Sequence, residues 1–214
     1  MAQETLGRIG VVATVACGAA IVLMHVVQPD MDPVDVAVSY YMNGRLGRVL
    51  GFGLVVLGIG SLALAAGIRA LLGDARPRAG LWLFALWAIG AILGGIFPPD
   101  PYGQWDRPPS VPGMIHGVAG IVAFLAFSPG AWLLSKGVST WTANGAPARM
   151  LAPLAGLSLL VLLLLFVCMA PVFADRPPFA LGLVERVLLA LNLGWIGIAS
   201  WIVATRVPAP IVRR

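Results

Sequence analysis

The sequence predicts an all-α polytopic membrane protein with six transmembrane helices, on three observations. Hydrophobic residues make up 59% of the chain and charged residues only 11%, with a mean hydropathy of +0.93, against roughly 25% charged in a soluble domain. The apolar runs are about 20 residues long, the length that crosses hydrocarbon as a helix. They lack period-2 alternation, and backbone polar groups in a bilayer must be paired within the segment, so barrel strands are excluded.

The spans fall at about 8–27, 47–72, 79–97, 112–135, 148–170 and 180–204, one six-helix domain over residues 1–214. In the first, Thr14-Val15-Ala16-Cys17 loosely matches a lipoprotein cleavage site, but the apolar run continues to Val27, as a span does. Residues 1–27 are therefore expected to stay in the mature chain. His25 ends this span, and Gln28-Pro29-Asp30-Met31-Asp32-Pro33-Val34-Asp35 follows as an acidic loop whose prolines stop the helix. Val36 to Met42, with Ser39, Tyr40 and Tyr41, suits a short re-entrant or interfacial helix capping the outer opening.

Span two carries Gly51, Gly53, Gly58 and Gly60, which let neighbouring backbones approach. Residues 73–78 form a tight hairpin into span three, which holds Trp82, Trp87 and Gly90-x-x-x-Gly94. The proline-rich stretch from Phe97 to His116 is the longest polar interruption of the second half. Ser128-Pro129 is expected to kink span four, and Lys136 to Arg149 reads as a solvated connector. Span five has no charged residue between Leu154 and Ala170 and is expected to face lipid or serve as plain structure. Span six holds Glu185, Arg186 and, near mid-membrane, Asn192, each of which needs a partner.

Six spans put both termini on one side. Arg8, Arg69, Arg76, Arg78, Lys136, Arg149, Arg206, Arg213 and Arg214 fall on that side, against Arg45, Arg48, Arg107, Arg176 and Arg186 on the other. The excess predicts cytoplasmic termini. The formal net charge of +5 is then an inner-leaflet signal matched to anionic lipid and not a nucleic-acid surface. Cys17 and Cys168 both lie within spans, away from any exposed disulfide.

Asp106-Arg107-Pro108-Pro109-x-x-x-Gly113-x-x-His116-x-Val118 aligns without gaps to Asp175-Arg176-Pro177-Pro178-x-x-x-Gly182-x-x-Glu185-x-Val187. The same offset back reaches Gly44-x-x-Gly47-Arg48-Val49. Three tandem hairpins around a pseudo-threefold axis would explain this and would make Gly47, His116 and Glu185 equivalent. His116 and Glu185 would then meet near the axis, with Arg186 or Asp100 as a further partner. An Arg186–Asp100 contact between loops is the plainer alternative.

His116 with Glu185 is an acid–base pair in kind, for which Ser39 or a water could be the nucleophile. No established hydrolase or metal motif accompanies it. A zinc site wants three or four protein ligands, and the two histidines, His25 and His116, are too few without carboxylates whose spacing says nothing. A bis-His haem between them is geometrically conceivable, but no metal or cofactor is expected. The favoured expectation is a non-enzymatic, outward-facing vestibule lined by Asp35, Asp100, His116, Glu185, Arg186 and Asn192. It would bind or pass a small or lipidic ligand, with membrane lipid as the expected partner. The alternatives are a lipid-headgroup enzyme with His116 as base, and an accessory subunit.

Taken together, Ser39-Tyr40, Gly44 to Phe52, Phe97-Pro98-x-Asp100, Gly113-x-x-His116 and Gly182-x-x-Glu185-Arg186-Val187 with Trp195 resemble the six-span bacterial and archaeal membrane family catalogued as domain of unknown function 998. The likeness covers nearly the whole chain. It implies six spans and a prokaryotic cell membrane, and supplies no activity. It also implies that glutamine often stands where this chain has Glu185, so a carboxylate there is not obligatory.

Overall fold

The computed structural model describes residues 2–73, 77–104, 107–139, 146–174 and 176–205, without the side chains of residues 138, 139, 146 and 173. Six α-helices make up nearly all of it: α1 (Ala2–Val27), α2 (Gly47–Leu72), α3 (Arg78–Ile96), α4 (Val111–Ser139), α5 (Ala146–Met169) and α6 (Leu181–Thr205). All six are long and apolar enough to cross a membrane. Short 3₁₀ helices at Val38–Asn43 and Ala170–Ala174 lie in the loops at the end away from the termini, called the distal end below. Asp106, Asp175, Trp141, Asn144 and the charges Asp74, Arg76, Arg206, Arg213 and Arg214 fall outside the described residues.

Each helix packs against its neighbours in the chain, and α1 packs on α6, so the bundle closes as a ring in sequence order. Glycines set the tightest approaches. A Cβ on Gly51 would meet the Gly95 carbonyl oxygen at 2.6 Å, and one on Gly90 would meet that of Ala119 at 2.7 Å, so α2, α3 and α4 touch backbone to backbone.

The middle of the ring is filled. Phe84, Phe127 and Trp195 are fully buried and Trp87 nearly so, with ring centroids 4.9 Å apart for Trp87–Phe127 and 5.4 Å for Phe84–Trp195. Buried indoles need acceptors. Trp195 Nε1 donates to Ser135 Oγ at 3.0 Å and Trp87 Nε1 to Ser61 Oγ at 3.3 Å. A second polar string crosses three helices: Ser128 bonds Ser158 at 3.0 Å, and Ser158 donates to Asn192 Oδ1 at 2.7 Å. Asn192 is 1% exposed, and among the described residues its Nδ2 has no partner. On α5, Leu157, Leu160, Leu163, Leu164 and Val167 are exposed while Ser158, Leu162 and Leu165 are buried. That helix shows one face outward and one inward.

The equivalence expected of Gly47, His116 and Glu185 is uneven in the helices. Gly47 is the first residue of α2, whereas His116 and Glu185 lie more than a turn inside α4 and α6.

Candidate functional site

The distal end is organised by the loop between α1 and α2, which lies over the start of α6. A helix start leaves backbone N–H groups without partners, and this loop supplies them. Ala180 N–H donates to Asp35 Oδ1 at 3.1 Å, and Leu183 N–H to the Val34 carbonyl at 2.9 Å. In return the Val38 N–H donates to Glu185 Oε2. Gln28, at the end of α1, anchors the other side of the loop through Nε2 to the carbonyls of Tyr41 (3.0 Å) and Arg45 (2.8 Å).

Arg186 pins the same loop. Its Nη1 donates to the Pro33 and Val36 carbonyls, both at 2.8 Å, its Nη2 to the Tyr41 hydroxyl at 3.1 Å, and its Nε to His25 Nε2 at 2.8 Å. A guanidinium only donates, so His25 Nε2 is the acceptor. The proton of that ring is on Nδ1, which donates to the Ile21 carbonyl at 2.7 Å. The guanidinium also lies over the Tyr41 ring, 5.6 Å from its centroid.

Asp100 does for α4 what Asp35 does for α6. Its Oδ2 accepts from the Ser110 N–H at 2.9 Å, and Ser110 Oγ accepts from the Gly113 N–H at 3.1 Å, a side-chain cap on a helix start. The loop is tied to the first 3₁₀ helix by Asn43 Nδ2, which donates to the Pro99 carbonyl at 3.0 Å. His116 faces back toward α3, its Nδ1 within reach of the carbonyls of Phe97 (2.8 Å) and Gly94 (3.1 Å). Carbonyls accept, so Nδ1 carries the proton, and in the neutral ring Nε2 keeps a lone pair that has no partner among the described residues.

Two cavities meet at His116. The inner one, about 130 Å³, lies between α4, α5 and α6, with apolar walls that include Phe124, Leu162, Leu165 and Phe166 and a polar end at Ser39, Tyr40, His116 and Glu185. The other, about 330 Å³, lies under the loops against Asp100, Arg107 and Gln104. Ser39, Tyr40, His116 and Gly117 line both. Gly117 and Ile121 are exposed on the outside of the bundle, so the inner cavity opens sideways past α4. Burial holds the Tyr40 phenol above its ordinary range, and Glu185, Tyr102 and Asp100 push the same way. Tyr102, edge-on to Tyr40 with centroids 5.3 Å apart, is raised by burial and by Asp35 and Asp32.

The six residues expected to line one vestibule thus separate. His116 and Glu185 line the inner cavity, but each is bonded to backbone and they are not hydrogen-bonded to each other. The expected Arg186–Asp100 contact does not form, because Arg186 is spent on His25, Tyr41 and two carbonyls while Asp100 caps α4. Asp35 caps α6, and Asn192 lies two turns below Glu185 in the serine string. His25 has both ring nitrogens engaged, which leaves none for a haem iron. Among the described residues no cluster of three or more His, Cys, Asp or Glu could hold a metal. Tyr40, Gly117 and Gly120 went unnoticed in the sequence as site residues.

Six apolar helices closed into a ring, with a polar-ended cavity under one set of loops, define a multi-pass integral membrane protein. The chain belongs to the family described as Protein of unknown function (DUF998), which matches residues 11–202. Comparison with curated proteins and with solved structures finds no match.

Proposed function

We propose that the protein binds a lipidic amphiphile at its distal end, with the apolar chain in the inner cavity and the head under the loops. The observation that carries this is the pair of glycines that α4 presents to the inner cavity. Glycine in a helix costs about 0.5–1 kcal/mol against alanine and is usually repaid by close packing. Yet a Cβ on Gly117 or Gly120 would meet nothing within 4 Å, and both residues line the inner cavity. Gly18 and Gly194 are equally open; what distinguishes Gly117 and Gly120 is the cavity they face and the histidine beside them.

Chemistry at the cavity's polar end selects the head. His116 Nε2 and a Glu185 carboxylate accept hydrogen bonds, and the Arg186 guanidinium is already committed to the loop. A head with hydroxyl or ammonium donors, such as a glycerol or a primary amine, suits these acceptors and the Asp100 of the loop cavity, whose wall also carries Arg107. The filled aromatic centre favours binding over passage through the bundle axis. The excess of basic residues counted in the sequence on the side of the termini supports cytoplasmic termini in a prokaryotic plasma membrane, with the site toward the outer leaflet. A second reading is favoured by that Nε2 lone pair alone: a headgroup enzyme using His116 as base, which would lose turnover but not binding in His116→Gln.

The test is a native mass spectrum of the protein released from mild detergent. A discrete lipid-sized excess mass on the wild type, lost in Gly120→Leu, is expected. A bare wild-type mass, or an excess unchanged by Gly120→Leu, would overturn the reading.

A further inference from the structure

A separate groove lies at the terminal end, between α2 and α3. The two helices are held backbone to backbone at Gly51 and Gly95 and again at Gly58, where a Cβ would meet the Ala88 carbonyl oxygen at 2.6 Å. Toward the hairpin they part around a groove of about 820 Å³. Its walls include Ala66, Ala70 and Ala85, and its mouth carries Arg69 in the last turn of α2 and Arg78 at the start of α3. Trp82, also lining it, is 74% exposed.

We infer that this groove holds one anionic glycerophospholipid of the leaflet at the terminal end. Small side chains leave room for an acyl chain on the bundle surface, and a tryptophan at this depth suits the boundary between chain and headgroup. Both guanidiniums lie where a span meets the headgroup layer, and among the described residues neither is paired with an acid, the ion pair there being Arg8 with Glu4. Two arginines lining one groove mouth offer a phosphodiester opposite charge and forked N–H donors. Neither the distal cavity nor its ligand enters into this inference.

The experiment titrates the full chain in non-ionic detergent with dioleoylphosphatidylglycerol, dioleoylphosphatidylcholine or inorganic phosphate, and counts bound lipid by native mass spectrometry. The wild type should retain one phosphatidylglycerol under conditions that strip phosphatidylcholine. Arg69→Gln combined with Arg78→Gln should weaken that retention roughly thirtyfold, from about 1 kcal/mol per cation near anionic lipid. Ala66→Leu with Ala70→Leu fills the groove from exposed positions, leaves both charges in place, and should lose the retained lipid as well. Arg8→Gln should leave it unchanged. Equal retention of the two lipids, retention unaffected by either double variant, or displacement by inorganic phosphate alone would overturn the inference.

Discussion

Arg186 donates its Nε proton to His25 Nε2 across 2.8 Å, and this contact joins the start of the last helix to the end of the first. The rest of the guanidinium holds the Pro33–Tyr41 loop, so one side chain ties three segments together at the distal end. The expected consequence of Arg186→Leu is that the part-buried Val36 carbonyl, Tyr41 hydroxyl and His25 ring nitrogen lose a partner, while the exposed Pro33 carbonyl turns to water. Leaving buried polar groups unpaired costs about 1–3 kcal/mol each. Thermal unfolding in detergent should therefore show Arg186→Leu as a larger loss than His25→Leu, which strands one N–H. Equal losses would contradict a role beyond the histidine contact.

Asp35 and Asp100 each cap a helix start from a different loop. Asp35→Ala and Asp100→Ala should each destabilise by about 1 kcal/mol. Because they serve α6 and α4 separately, the double variant should be nearly additive. If either carboxylate instead served the ligand, its removal would lower ligand retention and leave the unfolding midpoint in place.

Ala180 sits just before α6 with φ of 50°, and Leu46 just before α2 with φ of 59°. This left-handed region disfavours side chains by about 1–2 kcal/mol. Ala180→Gly should raise the unfolding midpoint, and Ala180→Val should lower it. The opposite order would show that the turn is not held as described.

Folding raises the Tyr40 pKa, so the folded state favours the protonated phenol. The stability this contributes is complete below pH 10, the ordinary value, and is lost at higher pH, where only the unfolded chain readily ionises. Ultraviolet difference titration should show a tyrosine phase above pH 10 that disappears in Tyr40→Phe. A phase at the ordinary value, removed by the same change, would contradict the burial of Tyr40.

The six helices were legible because span length and hydropathy are set by the bilayer, which acts on each segment alone. The ends of Gly47–Leu72 follow from composition for the same reason. Partners were not legible. Arg186 has an acid beside it in sequence and several more in the loops, yet its donors go to an imidazole, a phenol and two carbonyls, a choice made by how the loop folds. Ser158 vanished in the most apolar run of the chain and proved to be the partner of Asn192. The glycines are the clearest instance. Gly90 and Gly120 are identical letters in neighbouring spans, but one is pressed against a backbone and the other faces open space, and only the packed bundle tells them apart.

That distinction leads to the most direct test of the lipid site. A ligand that binds only the folded state raises its stability by mass action, about 2.7 kcal/mol at a hundred times its dissociation constant. Thermal unfolding midpoints would be followed for the wild type and Gly120→Leu over a range of added monoolein, a single-chain lipid with a glycerol head. The account predicts a saturable rise for the wild type and a flat line for Gly120→Leu, whose leucine fills the inner cavity. Equal rises in the two proteins, or none in the wild type, would contradict it.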